Sequence, residues 1–377
     1  MITETVTYDG EWKYPNETTT PLEDATIVFL FGESKVIKEA HLYASIKVLY
    51  PKADIVGCSS SGNILGSQLD ESLAVATAVS FEKGSVEIAI KDFTSEDDIQ
   101  KVSEELIAQL AQDGLKHLFI LSDGLNGNGS LLAKGVNRAV NYSLPITGGL
   151  AADGKEFEET WVIANGKAKQ NRIVAVGFYG EALSITHGCY AGWEEFGIYR
   201  RITKSKGNIV YEIDGQPALA LYKKYLGEYA DGLPGSGLQF PFNVKNNFSS
   251  KAIIRSVLAI NKEDKSLIFA GDVSEGSYAR LMKADIDSLI DGSQMAAHRI
   301  EQSNTKNALG LVVSCVGRRY VLNQLIDEEI ETMGDILGQN VQLIGFYSYG
   351  ELAPYSDKVL SCELHNQTMT LTVIYEE

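Results

Sequence analysis

Residues 26–31 read TIVFLF and residues 53–62 read ADIVGCSSSG, with a stretch of helical character between them. Both segments are apolar and rich in β-branched residues, and the second runs into a loop of glycine and small residues. Two later pairs of segments have the same layout: HLFILS (117–122) with LPITGGLAADG (144–154), and LGLVVSC (309–315) with VQLIGFYSYGE (341–351). Because this spacing is typical of a βαβ unit, we predict an α/β fold built from three repeated units.

Each unit is followed by two more strand-like stretches with a short polar turn between them. These paired stretches lie at 73–93, 159–180 and 359–375. We interpret each pair as a hairpin, because β-branched runs separated by Lys-Gly or Asn-Gly favour that structure. The repeated block is then β-α-β-β-β, and we expect mixed sheets flanked by helices in two closely associated domains.

The region between the second and third units has a different pattern. It predicts hairpins that turn at 206–208 and 262–264, a helix that begins at Pro217 and ends at Gly227, and a helix over 285–301. We therefore divide the chain into an N-terminal domain, a C-terminal domain and a strand pair that closes the last unit. Their bounds are 26–214, 215–357 and 358–377.

Composition excludes several classes of function. The chain has 377 residues, more than one hydrophobic core usually serves, and a net charge of −17. Such a surface repels phosphate backbones and anionic lipids, so we expect neither nucleic-acid nor membrane partners. The apolar runs are strand-sized, far short of a membrane span. Four scattered cysteines favour a reducing compartment, and we predict a cytoplasmic protein.

The three glycine loops are the candidate ligand site. Ligands bind outside the carboxyl ends of parallel strands, and glycines there let backbone N–H groups approach an anion. The alternative is that the glycines only permit tight turns. The candidate ligand-binding residues in these loops are Cys58, Ser59, Ser60, Gly148, Gly149, Asp153, Tyr349 and Glu351.

Arg318 is a further candidate, because it follows the buried strand that ends in SCVG. Its guanidinium could hold a ligand carboxylate through two hydrogen bonds, or it could pair with Asp327 or Glu328 as a structural ion pair. We predict a ligand pocket between the two domains, lined by the glycine loops, with Arg318 and Glu351 near it.

Enzymatic and metal chemistry have weaker signals, and we predict no catalytic residue and no metal site. The serines of GCSSSG lack the full G-x-S-x-G pattern, and a strand follows them where a hydrolase elbow needs a helix. Cys58 as a nucleophile is the remaining enzymatic alternative. No two histidines are four residues apart. His187, close to Tyr190 and Trp193, is either a half-buried structural histidine or a ligand of haem iron.

The chain resembles the FIST family, which combines FIST N and FIST C domains. The resemblance runs from about Thr26 to Pro354, through GCSSSGNI, GGLAADG, HGC, ITKSKGNIVYEIDGQPALALYKKYLG, FAGDVSEGSY, SCVGRR and GFYSYGELAP in this order. It implies a sensory module of signal transduction that binds a small ligand such as an amino acid or derivative. It also implies a partner such as a histidine kinase or a cyclic-dinucleotide enzyme.

Three hypotheses of different classes follow. The first is a ligand sensor that acts through a partner protein and is not an enzyme. The second is a haem-based nitric oxide sensor, since some relatives resemble such sensors and His187 is the matching position. The third is an enzyme that depends on Cys58 or on the loop serines.

Overall fold

The computed structural model describes residues 1–14, 21–247, 251–300, 307–356 and 359–377. Strands and helices follow one another along these ranges in mixed sheets flanked by helices, as the sequence predicts. Within the same ranges, no helix combines the length and the apolar character that crossing a bilayer requires.

The first unit follows an N-terminal strand pair. Its opening strand is buried along its whole length, because every residue from Ile27 to Gly32 faces protein. Asp98 begins the last helix of this region by accepting the backbone N–H of Gln100. The elements are β1 (Ile2–Tyr8), β2 (Trp12–Lys13), β3 (Ile27–Gly32), α1 (Ser34–Ile37), α2 (Ala40–Leu49), β4 (Asp54–Ser59), β5 (Asn63–Leu65), β6 (Gln68–Asp70), β7 (Ala74–Ser80), β8 (Ser85–Asp92) and α3 (Ile99–Ile107).

The second unit repeats the strand–helix–strand order. Asn128 caps its helix by accepting the backbone N–H groups of Ser130 and Leu131. The elements are β9 (Leu115–Ser122), α4 (Gly129–Ala139), β10 (Ile146–Leu150), β11 (Val162–Ala164), β12 (Arg172–Tyr179) and β13 (Leu183–Tyr190).

The region between the second and third units contains the two predicted hairpins and both predicted helices. The stretch after its first helix, rich in Gly and Pro, forms two short 3-10 turns at 227–232 and 235–239. The elements are β14 (Glu194–Lys206), β15 (Ile209–Ile213), β16 (Gln216–Pro217), α5 (Ala218–Leu226), β17 (Phe242–Lys245), β18 (Ile253–Arg255), β19 (Val257–Asn261), β20 (Ser266–Phe269), β21 (Tyr278–Lys283) and α6 (Ile286–Ala297).

The third unit differs from the others in the helical segment between its parallel strands. The helical pattern of the sequence breaks here into two helices joined by a 3-10 turn at 323–325. The elements are β22 (Ala308–Cys315), α7 (Val316–Leu322), α8 (Ile326–Leu337), β23 (Val341–Ser348), β24 (Gly350–Ser356), β25 (Val359–His365) and β26 (Met369–Glu376).

Each unit forms the centre of one six-stranded sheet. Its two main strands are parallel (β3 with β4, β9 with β10, β22 with β23), and β7, β12 or β26 lies antiparallel to the first of them. The strand orders are β11-β4-β3-β7-β1-β2, β25-β24-β10-β9-β12-β8 and β13-β26-β22-β23-β5-β6. A fourth sheet, β18-β17-β21-β14-β15-β20-β19 with β16 paired to β15, holds the middle region.

The three hairpins predicted after the units are wrong. The two strands of each pair lie in different sheets: β7 and β8, β11 and β12, and β25 and β26. Instead, the units exchange strands in a cycle. β5 of the first unit joins the third sheet, β11 of the second joins the first, and β24 of the third joins the second. Backbone hydrogen bonds of these exchanged strands therefore join each unit to its neighbour.

The inner faces of the three unit sheets enclose one hydrophobic core. Aromatic rings connect the sheets there: Phe29 meets Phe119 edge-on at 6.0 Å, and Phe31 stacks on Phe346 at 4.7 Å. The outer faces are covered by α2, by α3 with α4, and by α6 with α8. Side chains that point inward and outward alternate along the strands, so both faces of each sheet are buried.

The glycine that recurs in each unit has a structural cause. Gly57, Gly148 and Gly345 lie directly opposite Leu30, Ile120 and Val312 in the parallel strand pairs. A Cβ at these glycines would lie 1.7, 2.0 and 2.0 Å from the carbonyl oxygens of those three residues. The paired strands approach too closely for any side chain, so these glycines are required for packing.

Candidate functional site

The three glycine loops meet at the carboxyl ends of the parallel strands and bond to one another. The backbone N–H of Ala152 donates to Ser59 O (3.0 Å), that of Tyr349 to Leu150 O (3.2 Å), and that of Ser61 to Tyr347 O (2.9 Å). Each bond joins one unit to the next. The loops therefore use these N–H groups to close the end of the shared core.

Four of the candidate loop residues lie inside the protein and line neither of the two cavities described below. Cys58 is wholly buried in the shared core, and burial raises the pKa of its thiol. Ser59 is also fully buried, and its hydroxyl accepts the backbone N–H of Trp161 at 3.0 Å. Gly148 and Gly149 are buried in β10. All four contribute to packing in this structure.

Arg318 was predicted near the ligand, but it is part of a buried ion pair. It is fully buried, and its Nη2 and Nε lie 2.7 and 3.0 Å from Glu329 Oε2. The guanidinium also donates to the carbonyl oxygens of Ala191 and Leu289. Its partner is Glu329, and not Asp327 or Glu328. These bonds occupy the guanidinium, so it faces no cavity here.

A first cavity, here called the loop cavity, has a volume of about 430 Å³ and lies beside the first two glycine loops. Ser60 and Asp153 line it, and so does Arg319, the residue after the predicted arginine. Asp153 accepts the backbone N–H groups of its own loop at 157–159 and the hydroxyl of Tyr349. Two predicted residues, Asp153 and Tyr349, are thus in direct contact and support the wall of this cavity.

A second cavity, here called the interdomain cavity, has a volume of about 320 Å³. One wall is the end of β13 and the chain that follows it, and a second comes from β17, β18, β21 and the segment just after α6. The side chains that give it chemical character are aromatic or polar. They are Cys189, Tyr190, Trp193, Glu195, Asn243, Arg299, Tyr355, His365 and Thr368.

Asn243, in the wall of the interdomain cavity, has a buried hydrogen-bond acceptor without a partner among the described residues. The residue is only 8% exposed, and its Nδ2 donates to Glu195 Oε1 at 2.8 Å. Because a carboxylate only accepts hydrogen bonds, this contact fixes the orientation of the amide. Oδ1 then has no partner among the described residues. A buried amide oxygen without a partner is costly, so a ligand N–H at this place would be stabilised.

Arg299 gives the same cavity a positive charge. Its guanidinium donates to the carbonyl oxygen of Cys189 at 2.6 Å and lies over the ring of Tyr190, 5.2 Å from the centroid. Glu195, the one carboxylate among the described residues that line the cavity, is already paired with Arg280 at 2.5 Å. The cavity therefore favours an anionic group on its ligand, with Trp193 and Tyr355 providing apolar ring faces beside it.

Glu351 lies behind the interdomain cavity. It is fully buried, and it accepts hydrogen bonds from the hydroxyl of Ser348 (2.6 Å) and from the hydroxyl and N–H of Thr368 (2.9 and 3.1 Å). Burial raises the pKa of its carboxyl to about 7. Thr368 lines the cavity and touches Glu351, so it connects the cavity to a group that titrates near neutral pH.

His187 lies in β13 opposite Thr372 and is 9% exposed. Its ring centroid is 6.5 Å from that of His117, a wholly buried histidine whose pKa burial lowers to about 3. Haem needs an apolar slot beside its axial ligand. His187 instead packs against the second sheet and lines neither cavity, so the residues present do not fit haem.

The residues of the interdomain cavity come from distant parts of the chain. In the sequence, Tyr190 and Trp193 are marked only by their closeness to His187. Asn243, Arg299 and Tyr355 had no local signal, because a strand amide, an arginine at a helix end and a strand tyrosine are ordinary structural residues. Asn243 is distinguished by an Oδ1 atom that has no hydrogen-bond partner among the described residues, and this feature can be seen only in the three-dimensional structure.

The sequence matches two family models in succession: the FIST N domain over residues 26–216 and the FIST C domain over residues 218–354. An uncharacterized protein of Methanocaldococcus jannaschii is 26% identical, over 93% of this chain and 73% of that protein.

Two solved cyanuric acid hydrolases are similar at a much lower level. The enzyme from A. caulinodans has a TM-score of 0.38 and 7% identity, over 94% of this chain and 90% of that chain. The second has a TM-score of 0.36 and 9% identity, over 94% and 91%. Values this low do not establish a common fold.

Proposed function

We propose that this chain, which belongs to the FIST family, binds an amino acid or a derivative in the interdomain cavity and passes the signal to a partner protein. FIST domains are associated with sensing in signal transduction. The observation that carries the choice of cavity is Asn243, a buried side chain with an unused acceptor, on the wall of a cavity that also contains Arg299.

The chemistry of the cavity walls supports this ligand class. A carboxylate pairs with the guanidinium of Arg299, and an ammonium or amide N–H donates to Oδ1 of Asn243. The rings of Tyr190, Trp193 and Tyr355 accept an apolar or aromatic body. A volume of about 320 Å³ lies at the small end of the range for ligand pockets, which suits a metabolite of this size.

The position of the cavity suits a sensor. The wall at 189–195 lies in the part that matches the FIST N domain, and the wall formed by Asn243, Met282 and Arg299 lies in the part that matches the FIST C domain. A ligand that contacts both walls stabilises one arrangement of the two parts, and a partner can respond to this arrangement. We propose a histidine kinase or a cyclic-dinucleotide enzyme as the partner and the cytoplasm as the location.

We also propose that the chain is not an enzyme. The hydroxyl of Ser59 is bonded to a backbone N–H, and that of Ser60 to both backbone groups of Gly62. Burial raises the pKa of the Cys58 thiol and so disfavours the thiolate that a nucleophile needs. These contacts support a structural role for the groups on which the enzymatic hypothesis depends.

A thermal-shift screen of the standard amino acids tests the proposal, followed by titration calorimetry with the best ligand. An Arg299→Gln variant should bind this ligand about 10- to 100-fold more weakly, the usual loss for a hydrogen-bonded charge pair. Arg138→Gln is the matched control, because Arg138 is an exposed arginine on α4, far from the cavity lining. Equal affinity in the two variants would exclude this cavity as the site.

A further inference from the structure

The loop cavity carries an unusual concentration of negative charge. Carboxylates from three separate stretches of the chain surround its volume of about 430 Å³. The seven acidic residues in its wall are Glu33, Asp70, Glu71, Asp153, Glu156, Glu158 and Glu159.

Among the described residues, two cations, Lys35 and Arg319, share this wall, and both are engaged. Lys35 pairs with Glu33 at 2.5 Å, and Arg319 donates to the carbonyl oxygen of Ser61. In the part of the chain that the structure describes, Glu71, Glu156 and Glu158 have no ion-pair partner. Like charges gathered around one cavity repel one another, so a cationic ligand would relieve this repulsion.

A buried polar group marks the same cavity independently of the charges. Asn63 is 3% exposed and lies in the cavity wall, where its Nδ2 donates to the carbonyl oxygen of Ser72 at 2.8 Å. Its Oδ1 has no hydrogen-bond partner among the described residues. A buried oxygen without a partner is costly, so a hydrogen bond from a ligand would stabilise it.

The spacing of the carboxylates distinguishes an organic cation from a metal ion. Ca²⁺ and Mg²⁺ need several oxygen ligands gathered within about 2.0–2.6 Å of one point. Over the described residues, no three acidic, histidine or cysteine side chains are placed to hold a metal ion. Carboxylates spread around a cavity instead match positive charges that are spread along a flexible ligand.

We propose that the loop cavity binds a linear polyamine, with its ammonium groups beside Glu71, Glu156 and Glu158 and one N–H donated to Asn63. Ser60, Ser61 and Ser72 line the same space. This site is separate from the interdomain cavity. Because its walls come from all three repeated units, occupancy stabilises the contact between them.

Titration calorimetry of the full chain with spermidine at low salt is the test. We expect binding that weakens as NaCl is added. The Glu156→Gln/Glu158→Gln variant should bind about tenfold more weakly, at roughly threefold for each exposed charge. The control is Glu96→Gln/Glu263→Gln, which removes the same charge at two exposed sites away from the cavity, and it should bind as the wild type does.

Two results would overturn the proposal. One is the absence of spermidine binding, including the case in which Mg²⁺ or an oligolysine peptide binds at this site instead, and the other is an equal loss of affinity in the two double variants. Arg299→Gln should leave spermidine affinity unchanged. Failure of this site therefore leaves the proposal for the interdomain cavity untouched, and the reverse also holds.

Discussion

Replacing Arg318 with Met separates a structural role of this arginine from a ligand-binding one. The change leaves Glu329 fully buried, with the hydroxyls of Ser314 and Tyr347 as its remaining hydrogen-bond donors among the described residues. It also removes the donor to the carbonyl oxygen of Leu289. Loss of one partner from a buried ion pair costs about 3–5 kcal/mol, which is a large part of the stability of a typical domain.

Urea unfolding followed by circular dichroism measures this loss. Arg318→Met should lower the free energy of unfolding by about 4 kcal/mol, and a second change, Glu329→Leu, should restore part of it, because the stranded charge is then gone. A free energy of unfolding of Arg318→Met within about 1 kcal/mol of the wild-type value, together with a large loss of affinity for an amino acid, would contradict a structural role of Arg318. That result would indicate that Arg318 binds the ligand, as the sequence predicts.

Other consequences concern a proton, a glycine and a thiol. Folding raises the pKa of Glu351 from 4.5 to about 7, so the folded state binds this proton more tightly. As the pH rises from 4.5 to 7, the free energy of unfolding of the wild type should therefore fall by about 3 kcal/mol relative to that of Glu351→Gln. A difference between the two proteins that does not change with pH would contradict the raised pKa of Glu351. Gly345→Ala should destabilise the chain by about 3 kcal/mol in urea because its Cβ meets Val312 O, whereas Gly235→Ala, with open space around it, should be nearly neutral. Cys58 should react with a thiol reagent only in denaturant, and fast labelling of the native protein would revive the enzymatic hypothesis.

The repeated units were predictable because their signal is local. A buried strand, a helix and a second strand recur at a constant spacing, and the glycine at 57, 148 and 345 marks the position where each second strand touches the first. The period of the apolar residues predicts the type of element, and the glycine predicts close approach of two backbones.

The exchange of strands was not predictable from the same pattern. A run of alternating apolar residues such as 85–92 has the same appearance whether it pairs with the strand before it or with a strand of another unit. Here it pairs with β12 across 85 to 92 and not with β7. Short turns favour hairpins, but here β5, β11 and β24 each pair with a strand of a neighbouring unit.

A shift of one residue explains the error at Arg318. Helix α7 begins at Val316, and successive residues of a helix point about 100° apart. Arg318 therefore points into the protein toward Glu329, while Arg319 lies on the wall of the loop cavity. The sequence located the pair of arginines at the end of the strand, but the direction of each side chain depends on where the helix starts.

Hydrogen-exchange mass spectrometry, with and without the amino acid that gives the largest thermal shift, tests the central claim most directly. We expect added protection in both walls of the interdomain cavity, at 189–195 and around Asn243, because the ligand joins them. Protection confined to the glycine loops at 60–63 and 153–159, or protection of one wall only, would contradict a sensor whose ligand lies between its two parts.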